Sequence, residues 1–102
     1  MLVLCTAPDP EVAADLARKL VDAELAACVN ILPQIRSFYR WQGEVHDDAE
    51  VQLLIKTRES RFGALEEKLR AEHPYDVPEV IALPIVAGSE PYLEWLVAQT
   101  GG

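Results

Sequence analysis

The chain reads as an α+β domain, an antiparallel sheet of four strands with helices on one face, and three observations predict it. Apolar residues switch between a two-residue and a four-residue repeat in the order strand, helix, strand, strand, helix, strand, helix. Two long alternating segments flank Gln42-Gly43, a pair suited to a tight hairpin turn. The 102 residues, half of them apolar, suffice for one core burying roughly 65% of the unfolded surface, so a single domain over residues 1–102 is expected.

Met1 to Thr6 is a short, mostly apolar run closed by Ala7-Pro8-Asp9-Pro10, where proline removes donors and restricts the residue before it. Asp9 can cap the helix that follows, with Pro10 at its first position. Val12, Leu16 and Leu20 then recur every four residues beside Ala13, Ala17 and Val21, as far as about Glu24. Ala27 to Leu32 is apolar again and is interrupted by Pro33. Beyond it Ile35, Ser37, Tyr39 and Trp41 alternate with Arg36, Phe38 and Arg40, so the segment reads as one long bent strand.

Glu44 to Thr57 returns as a second long strand, acidic near the turn and apolar at Val51, Leu53, Leu54 and Ile55. Ser60 is the expected cap of a second helix that lines up Phe62, Leu65 and Leu69, solvates Glu66, Glu67, Lys68 and Arg70, and stops before His73-Pro74. Pro78 opens a last strand, Glu79 to Ile85. Ser89 is placed to cap a terminal helix carrying Tyr92, Leu93 and Leu96, which Gly101 ends.

The order βαββαβ plus one helix is the split, ferredoxin-like arrangement, with spatial strand order 4-1-3-2 and two helices on one sheet face. Its other face needs a cover, and the hairpin outreaches the sheet of one domain. Both features predict pairing with neighbouring chains in a closed homo-oligomer. Tyr39 and Trp41 on one hairpin face, and Arg36 and Arg40 on the other, are the expected subunit contacts, the arginines facing acidic residues across the boundary.

Nine basic residues against seventeen acidic ones give a net charge of −8, a field that repels phosphate backbones and anionic lipids and attracts cations. Nucleic acid and membrane partners are not expected. No apolar run approaches the ~20 residues of a membrane span, and the N-terminus enters a strand without a charged leader, so a cytoplasmic address is expected. Cys5 and Cys28 sit in apolar runs, which fits reduced thiols.

The segments Leu4-Cys5-Thr6-Ala7-Pro8-Asp9, Ala27-Cys28-Val29-Asn30, Ser37-Phe38-Tyr39-Arg40-Trp41, Ile55-Lys56-Thr57, His73-Pro74-Tyr75-Asp76-Val77-Pro78-Glu79 and Tyr92-Leu93-Glu94-Trp95-Leu96 together resemble the CutA family of divalent-cation tolerance proteins, over nearly the whole chain. The resemblance implies a homotrimer of ferredoxin-like subunits and a non-catalytic metal-binding role. It also implies copper, with zinc as the alternative, held by Cys5 and His73. Some members carry a second histidine where this chain has Glu72, a harder ligand. In a 4-1-3-2 sheet the end of strand one lies opposite the start of strand four, so Cys5 and His73 are expected as neighbours, and the adjacent helix N-terminus is expected to favour the thiolate.

Other readings compete. Cys5 and Cys28 are also ordinary small core residues, and His73 also suits the close of a helix. His46, Asp47, Asp48 and Glu50 lack the spacing of a calcium loop and read as a solvated strand edge. Tyr39, Trp41, Tyr75 and Trp95 suit core and subunit contacts, or the wall of a ligand cleft between subunits. A copper chaperone would need two cysteines close together after strand one, where Thr6, Ala7 and Pro8 follow Cys5. No Gly-rich phosphate loop, nucleophile motif or metalloprotease helix is present, which disfavours an enzyme and leaves metal binding, a small-ligand sensor or a structural scaffold.

Overall fold

The computed structural model describes residues 1–101, and its elements follow the predicted order. They are β1 (Leu2–Ala7), α1 (Pro10–Asp22), β2 (Cys28–Trp41), β3 (Glu44–Lys56), α2 (Phe62–Glu72), β4 (Ile81–Leu83) and α3 (Glu90–Ala98). All neighbouring strands are antiparallel in the order β2-β3-β1-β4, which is the predicted 4-1-3-2 read from the other edge.

Local chemistry sets most boundaries. Asp9 accepts the Val12 N–H at 2.8 Å and Pro10 opens α1. At the other end Glu24 takes a left-handed φ of 58°, which lets the Leu25 N–H reach the Leu20 carbonyl at 3.0 Å. Gln42 and Gly43 have φ of 51° and 80°, the two positive values that a type I′ turn requires. The bend in β2 is a register shift between Leu32 and Ile35, at Pro33, which has no N–H for the ladder. Fourteen residues at ~3.3 Å each make a strand of roughly 46 Å, and the molecule's long dimension is 44 Å.

One sheet face is covered. Val3, Cys5 and Ala7 of β1 and Val51, Leu53 and Ile55 of β3 are buried against Leu16 and Leu20 of α1 and Leu65 and Leu69 of α2. Each fully buried leucine contributes about 1.5–3 kcal/mol. Alternate residues Leu2, Leu4, Thr6, Gln52 and Leu54 point to the helix-free face and are only half-buried.

Three expectations need correction. Ser60 lies in a single 3-10 turn, Glu59–Arg61, and α2 begins at Phe62 without a side-chain cap. The last strand is three residues long, because beyond Leu83, which faces Leu2, strand β1 has run out. Ser89 holds the N-cap position by backbone alone, its carbonyl accepting the Leu93 N–H at 3.0 Å. At the far end of α3 the buried Thr100 carbonyl accepts from Arg61 at 2.7 Å and from Arg58 at 3.2 Å, which ties the helix to the β3–α2 corner. Among the described residues no helix is long and apolar enough to cross a membrane.

Candidate functional site

The end of β1 and the segment after α2 meet as the topology requires. The Cys5 thiol donates to the Thr6 carbonyl at 3.5 Å, and His73 Nε2 lies 2.7 Å from the same oxygen. The Tyr75 N–H donates to His73 Nδ1 at 3.1 Å, so Nδ1 is an acceptor and the ring proton sits on Nε2, donating to Thr6. The imidazole is buried and lies tilted against the Tyr75 ring, with centroids 4.7 Å apart. His73 therefore pins the 73–75 turn to the end of β1.

This pair does not fit a metal as it stands. Burial, with Glu79 and Glu50 adding in the same direction, pushes the Cys5 thiol up to about 12, so in the metal-free chain the protonated thiol is favoured over the expected thiolate. Both His73 nitrogens are engaged. The Glu72 carboxylate is held by Lys19 at 2.8 Å and faces Lys68 at 3.8 Å, and these lysines, Lys19 first, lower its pKa and keep it ionised. Among the described residues no three His, Cys, Asp or Glu side chains are grouped to hold an ion.

On the helix-free face a cleft of about 780 Å³ opens between the outer half of β2 and residues 75–79. Thr6, Glu50, Gln52, Tyr39, Trp41 and Tyr75 are among the residues that line it. The Tyr75 hydroxyl donates to Glu50 at 2.7 Å and that of Tyr39 to Asp48. Burial and the Glu50 contact raise the Tyr75 hydroxyl well above its ordinary range, and the Asp48 contact raises Tyr39, so both remain donors. Gln52 donates to the carbonyls of Cys5 at 2.8 Å and Leu53 at 3.2 Å.

The hairpin arginines have partners within the chain. Arg36 makes a two-pronged pair with Asp47 at 2.9 and 2.8 Å and lies over the Phe38 ring, 5.0 Å from its centroid. Arg40 reaches the Gly43 carbonyl at 3.5 Å. His46 stacks on Tyr39 at 5.2 Å, so each member of the His46–Glu50 group already has an aromatic or polar partner. Trp95 lies against Tyr92 on α3, outside the cleft. Sequence reasoning missed Glu50, Gln52 and Glu79 as cleft residues, since they come from separate segments: register pairs Gln52 with Thr6 and Glu50 with Ile35, and Glu79 lies in the segment before β4.

Comparison with known proteins matches the whole fold. The family model described as CutA1 divalent ion tolerance protein covers residues 1–99. "Divalent-cation tolerance protein CutA" of Thermus thermophilus is 53% identical over 100 residues, covering 98% of this chain and 97% of its own. "Protein CutA, chloroplastic" of Arabidopsis thaliana is 52% identical over 98% of this chain, which spans 55% of the plant protein's length. The solved Thermus thermophilus structure superposes with a TM-score of 0.95 at 53% identity, covering 98% of this chain and 97% of that one. The Oryza sativa CutA1 structure gives 0.94 at 54% identity, covering 97% and 91%.

Proposed function

The chain belongs to the CutA1 divalent ion tolerance family, and from that membership we propose that it serves divalent-cation tolerance as a non-catalytic cytoplasmic homotrimer that binds its effector at the helix-free sheet face. The observation that carries this reading is the contrast between that face's aromatic, carboxylate-lined cleft and the Cys5–His73 pair, whose thiol is buried and whose two imidazole nitrogens are both engaged. The thiol at the core is buried and protonated, so it offers no activated nucleophile.

Trimerisation is supported by surface that a lone subunit leaves uncovered. Phe38 and Val45 on the hairpin arm are 65% exposed, and Ile81 and Leu83 on the edge strand 54% and 46%. Edge strands and apolar residues of this kind favour a closed ring over exposure to water. Light scattering should return about 34 kDa, three times the 11.3 kDa chain. A mass of one chain would refute it.

A second reading places copper, with zinc as the alternative, at Cys5 and His73, and the convergence of Sγ and Nε2 on one carbonyl oxygen supports it. It requires the thiol to lose its proton and the imidazole to release Thr6. Copper affinity by chelator competition under reducing conditions decides between the readings. On the cleft reading Cys5→Ala still forms trimers with unchanged copper affinity and still rescues a metal-sensitive deletion strain. Loss of most of the affinity and of the rescue would make Cys5 a ligand and reverse the order of the two readings.

A further inference from the structure

The last helix is attached to the subunit differently from the other two. The buried faces of α1 and α2 share one cluster with β1 and β3, whereas Leu96, the buried residue of α3, lies outside that cluster. Residues 84–89, which lead into α3, form neither strand nor helix, and Val86 among them is 93% exposed. Gly88 makes the corner, since a Cβ there would press on the Leu93 side chain at 3.2 Å. Near its start α3 reaches the beginning of β2 through Tyr92, whose hydroxyl is raised by burial and then by the Cys28 thiol beside it.

What holds its far end is polar. Thr100 is fully buried, and its hydroxyl donates back to the Leu96 and Val97 carbonyls at 3.0 and 3.1 Å. Its own carbonyl needs donors from outside the helix. Arg61 Nε supplies one at 2.7 Å and Arg58 a second at 3.2 Å, and the other prong of Arg61 reaches the Gly101 carbonyl at 3.1 Å. Gly101 stands at a φ of 67°, and a Cβ there would overlap the Arg61 guanidinium, so the glycine is what lets this clasp close. Charged donors at the negative end of a helix bind strongly, yet here they come from only two side chains in one geometry. We propose that α3 is a strap, hinged at residues 84–89 and closed by Arg58 and Arg61 on the Thr100 and Gly101 carbonyls, which opens as a unit while the sheet and the other two helices stay folded. Opening lifts Tyr92 from the Cys28 thiol. An element held this way belongs to the low-stability end of a molecule, from which moving parts are drawn.

Amide hydrogen exchange of the native assembly tests the strap, read at Leu93, Gln99 and Thr100 and, for comparison, at Val3, Leu53 and Ile55 of the core strands. Light scattering is recorded on the same samples. In the wild type the α3 amides should exchange faster than the core amides. Arg61→Ala deletes the clasp and Gly101→Ala displaces it. Each should speed α3 exchange roughly ten- to a hundredfold, as expected for loss of a hydrogen bond from a charged group, with core exchange and mass unchanged. Arg58→Ala, which removes the longer bond, should speed it less. Iodoacetamide should label Cys28 faster in the Arg61 and Gly101 variants, with Cys5 still sealed. Wild-type α3 amides as slow as the core would overturn the proposal, because the strap would not open by itself. Equal acceleration of every amide in the variants, or none in α3, would overturn it too. A fall in mass would make α3 a subunit contact, which also counts against a strap.

Discussion

The two faces of β3 differ as much as two proteins would. Val51, Leu53 and Ile55 are sealed under α1 and α2, whereas Gln52 and Leu54, one residue along, stand half-open on a face without helices. The strand's alternation is the same on both sides. What differs is the layer laid over it, so the covered face carries the stability of the chain and the open face is left for something outside it.

The sharpest way to break that contrast is to shave one leucine from each face. Leu53→Ala should cost about 2–5 kcal/mol, because the helices cannot collapse fully into the space. Leu54→Ala should cost about 1 kcal/mol or less, since half of that side chain already meets water. Urea unfolding of the two variants at several protein concentrations checks the difference. Equal costs would mean that neighbouring subunits cover the open face as tightly as the helices cover the other.

A pH titration sharpens the comparison from the covered side. The Cys5 thiol is raised from 9.0 to about 12, so between these values the native chain keeps a proton that the unfolded chain has lost. Stability is therefore undiminished below about pH 9 and falls as pH rises towards 12, by roughly 4 kcal/mol across the whole window. Tyrosines also titrate there, so the quantity to measure is the difference in unfolding free energy between wild type and Cys5→Ala at pH 8 and pH 10.5. That difference should shift by roughly 2 kcal/mol in favour of the variant at the higher pH. A constant difference would mean that the thiol is not sealed in the core.

The covered face was the more legible of the two in the sequence. Leu16, Leu20, Leu65 and Leu69 announce themselves by helical spacing, because burial selects apolar side chains at fixed periods, whereas Val51, Leu53 and Ile55 came with Leu54 in one apolar run and only the register separates the buried three from it. Asp9, Pro10 and Gln42-Gly43 were legible because caps and turns are local chemistry. Ser60 misled, since a 3-10 turn intervenes and places the helix start beyond it. The meeting of Cys5 with His73 followed from strand order. Its chemistry did not, because the state of a thiol depends on burial by residues distant in sequence, as does the approach of Tyr75 to Glu50.

The smallest expected effect tests the open side at its tip. Arg36 has the geometry of a strong ion pair, two parallel bonds to Asp47 and a ring beneath it, yet its side chain is 72% exposed. Water and salt screen such a pair, and ordering two long side chains opposes it. Arg36→Ala should therefore leave the unfolding midpoint and the oligomer mass unchanged at physiological salt. Should the variant dissociate or melt early, the pair works in a dry place, and the subunit cover that the proposed trimer requires for Phe38 and Val45 reaches Arg36 as well. The arm would then join the covered half of the molecule, and the open face would shrink to the cleft itself.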